Sequence, residues 1–579
     1  MKQMTKVTAV FRCLALAGMM LAAATAWGSG GSKGTSSKLS PDLAAVPQGK
    51  TVNVIVQYSA LTQHDISQAQ SVALRGTAPK TFPLIQAVAL TMNSSKLASL
   101  VSDPHVKHIS LDHQVFNTST TTDFYDQAVN APYAWSAGLD GSGIGVAIID
   151  SGVADQGDFT GTNASRIVYS ANYNNDGINN AFGHGTHVAG ILAGDGENST
   201  GPNYTKTFKG IAPNANLLSF RVLDGIGVGT DSSVIAGIQA AVSLKSTYNI
   251  RVMNISLGRP VFESYTVDPL CQAVEAAWKA GIVVVAAAGN DGRDNSFGTN
   301  GYETIAAPGN DPYVITVGAM KPMGTATRAD DLIASYSSKG PTAVDHIAKP
   351  DLVAPGNLIV STLASTSAAI FSMFPQDQVP MNYYSTSGGS APSSTYFILS
   401  GTSMATPVVS GAAALLLQQN PKLTPDQVKA RLMLTAYKTF PKSSTAVDPV
   451  TGISYTDYYD MFTVGAGYVD IQAALSNTQL ASSKVTAQSP AVAVDKSKNV
   501  YVVTNSSVVW GTSGTWATSV VWGTSVVSLS QQETVVLGSS VVWGTPSDTG
   551  YSVVWGTSAP QSNLVAQADA ATVTYFGEN

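Results

Sequence analysis

The rhythm of hydrophobic and polar positions changes three times along the chain. Residues 51–57 and 87–92 alternate apolar with polar, as half-buried strands do, and 106–111 reads as another strand. Residues 67–75 and 94–102 carry apolar side chains at helical spacing, so 49–116 is expected to form a small α+β unit. From 123 to 478 the pattern becomes short, nearly continuous apolar runs, at 144–149, 216–222, 252–256, 282–287 and 313–317. Such runs suit strands buried on both faces. Amphipathic or apolar helices are expected between and after them, at 183–193, 232–244, 270–280, 403–417 and 425–436. The last of these has a clear start, with Thr424 as cap, Pro425 in the first turn and Gln427 three residues past the cap. Parallel strands need helical crossovers, so this region is expected to be a doubly wound parallel-sheet α/β sandwich. In the extension over 479–579, Ser-Val-Val-Trp-Gly-Thr occurs four times, from Ser507, Ser519, Ser540 and Ser552. β-Formers beside a Gly-Thr turn predict a β-rich repeat tail.

Composition adds limits. With 44% apolar and 12% charged residues the chain can bury a large core, which excludes a charge-rich disordered protein. A net charge of −6 leaves no basic footprint, so no nucleic-acid partner is expected. Lys2, Lys6 and Arg12 precede an apolar run over 13–23 and the small residues Ala24, Thr25 and Ala26, the layout of a cleavable signal peptide over 1–26. That run is shorter than the ~20 residues of a spanning helix. The chain is therefore expected to be secreted, extracellular or periplasmic, with no membrane span after signal cleavage. Cys13 leaves with the signal, so Cys271 stands alone and reads as a small buried hydrophobe. Residues 27–48 and 117–122 read as linkers, the second exposed and cleavable.

Three segments carry candidate chemistry. Ser403 opens an apolar helix, where free backbone N–H groups and the positive end of the helix dipole favour developing negative charge. Taken alone it is as readily a helix cap, and as a nucleophile it needs a base. His184 begins another helix within Gly-His-Gly-Thr-His, and no Glu separates it from His187, so the zinc-protease helix pattern is absent and no metal site is expected. Asp150 ends the apolar strand 145–149, at the carboxyl edge where open α/β sheets place functional side chains.

Together the segments 146–153, 184–194 and 401–411 resemble the three signature motifs of the subtilisin family, in its chain order Asp, His, Ser. Supporting matches lie at 252–258 (VMNISLG), 286–290 (AAAGN), 335–341 (SYSSKGP), 349–356 (KPDLVAPG) and 465–470 (GAGYVD). The resemblance implies a secreted serine endopeptidase in which Ser403 attacks, His184 shuttles the proton and Asp150 orients the imidazole. It gives Asn290 to the oxyanion hole. Substrate binding falls to Gly225, Gly227 and Gly229, to Ser256, Leu257 and Gly258, and to a pocket wall of Ala286, Ala287, Ala288 and Gly289 that suits an apolar side chain. Protein or peptide substrates are implied. Residues 49–116 are similar to the family's inhibitory propeptide, an intramolecular partner released by a cut within 115–123. No cofactor is required; calcium is common in the family, but its ligands are not assignable here. Two features depart from the pattern: Val408 stands where a His is usual, and 363–399 is a long insertion before the nucleophile. The competing reading is a vestigial protease scaffold that binds surfaces through its Trp-rich tail.

Overall fold

The computed structural model describes residues 38–111 and 125–494 with short interruptions at 41–42, 44–45, 83–85, 161–163, 175, 177–181, 296–298, 449–451 and 482–485. It also describes 500–503, 520–522, 525–527 and 566–567. The expected signal peptide, the cleavable linker and most of the repeat tail lie outside these residues. The chain divides into two compact units, Met1–Gln114 and Val115–Asn579.

In the first unit, strands β1 (Thr51–Tyr58), β2 (Lys80–Phe82), β3 (Ala87–Asn93) and β4 (Val106–Leu111) form an antiparallel sheet of order β2-β3-β1-β4. Alternation along β1 puts Val52, Val54, Val56 and Tyr58 into a core with Val88, Leu90, Leu100 and Ile109. Helix α1 (Gln63–Val72) starts before the expected residue 67. The Thr62 hydroxyl accepts from Asp65 N while the Asp65 carboxylate accepts from Thr62 N. That reciprocal cap satisfies two otherwise orphaned donors, and its polar residues carry no hydrophobic periodicity.

The second unit is built on an eight-stranded sheet. Strands β5 (Gly145–Asp150), β6 (Ile167–Asn172), β7 (Asn216–Arg221), β9 (Ile250–Ile255), β10 (Val283–Ala287), β11 (Ile315–Lys321) and β13 (Leu352–Pro355) run parallel in the order β6-β7-β5-β9-β10-β11-β13. The short β12 (Leu332–Ile333) pairs antiparallel with β11. Every residue of β5, β10 and β11 is buried, which is why β5 up to Asp150 and β10 read as unbroken apolar runs, while β11 starts within the expected 313–317 run and continues to the buried Lys321. Helices α2 (His184–Ala193), α3 (Asp231–Tyr248), α4 (Pro269–Lys279) and α5 (Thr402–Gln419) contribute buried faces to one continuous core. Val408 lies inside this core, fully buried.

The 363–399 insertion has a small core of its own. Strands β14 (Ile359–Thr362), β16 (Pro392–Leu399) and β15 (Gln378–Pro380) form an antiparallel sheet, and Tyr396 of β16 packs with Tyr384 around Phe208. Beyond 478, Pro490 and Val492 are bonded to this body: Ala348 N donates to Pro490 O and Val492 N to His346 O. Of the tail, Val520–Trp522 pairs with Ser525–Val527, and Ala566–Gln567 pairs with β8 (Val228–Gly229). Among the described residues no helix is long and apolar enough to cross a membrane.

Candidate active site

Asp150 is the last residue of β5, set at the carboxyl edge of the sheet by parallel pairing with β7 and β9. It is 0% exposed, and its Oδ1 accepts from Ser151 N at 2.6 Å. The next helix brings His184 to it. Gly183 caps α2 with φ of 103°, a left-handed conformation that disfavours side chains. Gly185 lies so close to the strand end that a Cβ would sit 2.4 Å from Gly152 O and 3.0 Å from Asp150 Oδ1. The glycines on either side of His184 thus let the helix start press against the aspartate. His184 Nδ1 lies 2.8 Å from Asp150 Oδ1 and 3.0 Å from Oδ2, with both side chains fully buried. A carboxylate here can only accept, so Nδ1 carries the proton, and in the neutral imidazole Nε2 keeps its lone pair. Nε2 is buried and has no hydrogen-bond partner.

Ser403 is the second residue of α5 and is 1% exposed. Its hydroxyl donates to Ser256 O at 3.1 Å, while Ser256 Oγ donates to Ser403 O at 2.8 Å. The nucleophile candidate is thus tied in both directions to the segment 256–258. Asn290 is held from the same helix start. Its Oδ1 accepts from Thr402 N at 2.9 Å and from Thr402 Oγ1 at 3.1 Å, which leaves its Nδ2 buried and unpartnered. Thr402, which motif reasoning passed over, therefore decides which way the amide points.

The remaining predicted residues lie in three backbone segments. Asp224 Oδ1 accepts from Ile226 N and Val228 N, folding residues 224–229 into a tight hairpin with Gly225 at its turn and Gly229 in β8. Gly227 abuts Phe182, whose ring centroid is 6.4 Å from that of His184. Ser256, Leu257 and Gly258 follow β9, Ala286 and Ala287 end β10, and Ala288 and Gly289 follow it; all seven are buried. His187 takes no part in the pairing with Asp150. Its Nε2 faces the carbonyls of Ile359 and Phe397 at 3.2 and 3.0 Å, and burial, reinforced by His184, pushes it down to about 3. Cys271 is buried and donates to Asn310 Oδ1 at 3.2 Å, with burial pushing its thiol well above the ordinary range. That is the reverse of what a reactive thiolate needs. Among the described residues no three His, Cys, Asp or Glu side chains cluster so as to hold a metal ion.

A strand-end carboxylate, a buried imidazole and a serine at a helix start, on a doubly wound sheet, define a class of serine hydrolases. Comparison places the chain within it: residues 141–467 match the subtilase family, and the chain belongs to that family. Serine protease AprX of Bacillus subtilis (strain 168) is 37% identical over 362 residues, covering 61% of this chain and 74% of that protein. Subtilisin E of the same organism is 33% identical over 401 residues, covering 69% and 83% respectively. Among solved structures, a cold adapted subtilisin-like serine proteinase aligns with 28% identity over 55% of this chain and 89% of its own, with a TM-score of 0.36. The protein is a subtilisin-like serine endopeptidase.

Proposed function

We propose that Asp150, His184 and Ser403 form the catalytic triad of this endopeptidase, which is exported as a zymogen and matures by its own activity. The observation that carries the reading is the fully buried Asp150–His184 pair with His184 Nε2 left unpartnered. Ser403 Oγ attacks the scissile carbonyl carbon, and its proton passes to Nε2. The imidazolium, stabilised by Asp150, then protonates the leaving amine, and water releases the acyl group by the same route. The negative oxygen formed on attack is received by Asn290 Nδ2 and by the backbone N–H of Ser403, which lies in the first turn of α5 where helical acceptors are absent. Extended substrate lies between residues 225–229 and 256–258 as an added strand. The geometry of β8 supports this, since it already pairs antiparallel with a short strand of the tail.

In this reading residues 49–116 are the inhibitory propeptide, and the first cut falls within 115–123. Expressing residues 27–579 as wild type and as Ser403→Ala, with intact mass and casein hydrolysis measured for both, tests the whole proposal. Wild type should lose roughly residues 27–120 and digest casein, while the variant does neither. A Ser403→Ala chain that still matures in isolation, or still digests casein, would overturn it.

A further inference from the structure

Arg259 follows the segment 256–258 directly and is 3% exposed. It does not belong to any of the motifs that carry the family resemblance, yet three walls of the cleft meet on it. Its Nε donates to both carboxylate oxygens of Asp231, at 2.9 and 3.0 Å. Its Nη2 donates to both oxygens of Asp268, at 2.9 Å each, and Nη1 to Pro260 O at 3.1 Å. Asp231 is the first residue of α3, directly after the Thr230 cap and therefore two residues past β8. Asp268 caps α4 by accepting from Leu270 N and Cys271 N. The Arg259 backbone makes a third tie. Its N–H donates to Ala307 O and its carbonyl accepts from Ala307 N, while the adjacent Ala306 N donates to Ala288 O in the third wall.

We infer that Arg259 is a positioning residue that holds the β8 hairpin, the 256–258 segment and the 286–289 wall in register for an extended peptide. The inference rests on the substrate path proposed above. A guanidinium buried between two carboxylates adds little net stability compared with a well-packed apolar side chain, so stability alone is a weak reason for placing one here. What the fork supplies is geometry: donors in a fixed plane reach Asp231 on one side and Asp268 on the other, which a lysine ammonium on a flexible stem cannot reproduce. Near Ser403 the segment is held separately, through Ser256. Loosening Arg259 therefore disturbs the remote end of the cleft and spares the reacting end.

This difference selects by substrate length. Hydrolysis of an eight-residue peptide and of a single-residue ester is measured for the full chain as wild type, Arg259→Lys, Asp231→Asn and Ser403→Ala. Arg259→Lys should lose about 10–100-fold in kcat/KM on the long peptide, the scale on which misplacement acts. It should stay within about twofold on the ester, which also reports that the variant is folded. Asp231→Asn keeps the Arg259–Asp268 pair and releases only the hairpin, so it should show the same selective loss even if Arg259→Lys folds poorly. Equal losses on both substrates in Asp231→Asn, or none on the long peptide, overturn the positioning role alone. A wild-type chain without Ser403-dependent hydrolysis overturns the cleft reading and the positioning role with it.

Discussion

At the cleft, Asp150 and His184 are wholly buried, yet His184 Nε2 and Asn290 Nδ2 end without partners. Around Asp351, equally buried, the charged atoms are all paired. Asp351 Oδ2 accepts from Lys349 Nζ at 2.7 Å and Thr316 N at 2.8 Å, and Oδ1 from Ser489 Oγ at 2.5 Å, with Lys429 Nζ 3.2 Å away. Lys429 Nζ also donates to the carbonyls of Pro312, Tyr313 and Val314 and to Ser489 Oγ. An unmade hydrogen bond on a buried group costs about 1–3 kcal/mol, and under the proposed function a substrate atom completes the two at the cleft. Buried polar atoms elsewhere also lack partners, Trp278 Nε1 and Arg431 Nε among them, so what sets His184 Nε2 and Asn290 Nδ2 apart is their place beside Asp150 and the helix start that carries Ser403.

The comparison breaks most visibly at Asp351. Replacing it with alanine strands Lys349 and Lys429 as buried ammonium groups and should cost about 3–5 kcal/mol of stability. Urea unfolding measures that loss, while turnover per folded molecule should change little. A loss below about 1 kcal/mol would show that the cluster contributes no more than a surface ion pair does. Asn290→Ala should act chiefly on turnover. Losing Oδ1 strands Thr402 N, so unfolding should shift by about 1–3 kcal/mol, less than at Asp351, whereas kcat should fall about 10²–10³-fold, a magnitude taken from the equivalent loss in subtilisin itself. Steady-state kinetics at saturating peptide separates the two effects. A variant that loses stability but keeps kcat would make Asn290 a turn residue.

How far these regions could be read in advance follows from their physics. The strand ending in Asp150 announced itself because burial on both faces requires apolar residues throughout β5. His184 and Ser403 were legible because helix starts beside glycines combine special backbone demands with reactive side chains. Thr402 and Arg259 were not, since a hydrogen bond across 112 residues or a fork joining Asp231 to Asp268 leaves no local pattern. The expected boundary at 478 followed a change of composition. Ser489, a residue without periodicity, is nevertheless bonded into the Asp351 cluster. The packing of the 363–399 insertion was equally hidden, because Tyr384 and Tyr396 share a small mixed core with Phe208, Val360, Val379 and Ile398.

Asp158 gives the finest test of the contrast, because it is saturated by neutral donors. Its Oδ1 accepts from Asn198 N and its Oδ2 from Tyr396 OH, both at 2.8 Å, the second bond tying the insertion to the main body. Burial dominates and pushes its carboxyl up to about 6, whereas at Asp351 burial raises the carboxyl but the two ammonium groups more than offset it and hold it below the usual range. A carboxyl raised in the folded state binds more protons there than in the unfolded chain between roughly pH 4 and pH 6. Stability must then fall as pH rises through that window, by at most about 1.4 kcal/mol per pH unit for this single group. Asp311, pushed up to about 7, adds a slope of the same sign, so only a difference between two chains isolates Asp158. Urea unfolding of wild type and Asp158→Asn at about pH 4 and pH 6 should show the wild type losing more stability across the interval. The asparagine keeps an acceptor for Asn198 N and does not titrate. If the two chains lose stability in parallel, Asp158 titrates in the folded chain as it does in the unfolded one, and its neutral donors offset the cost of burial without the ammonium groups that hold Asp351 down.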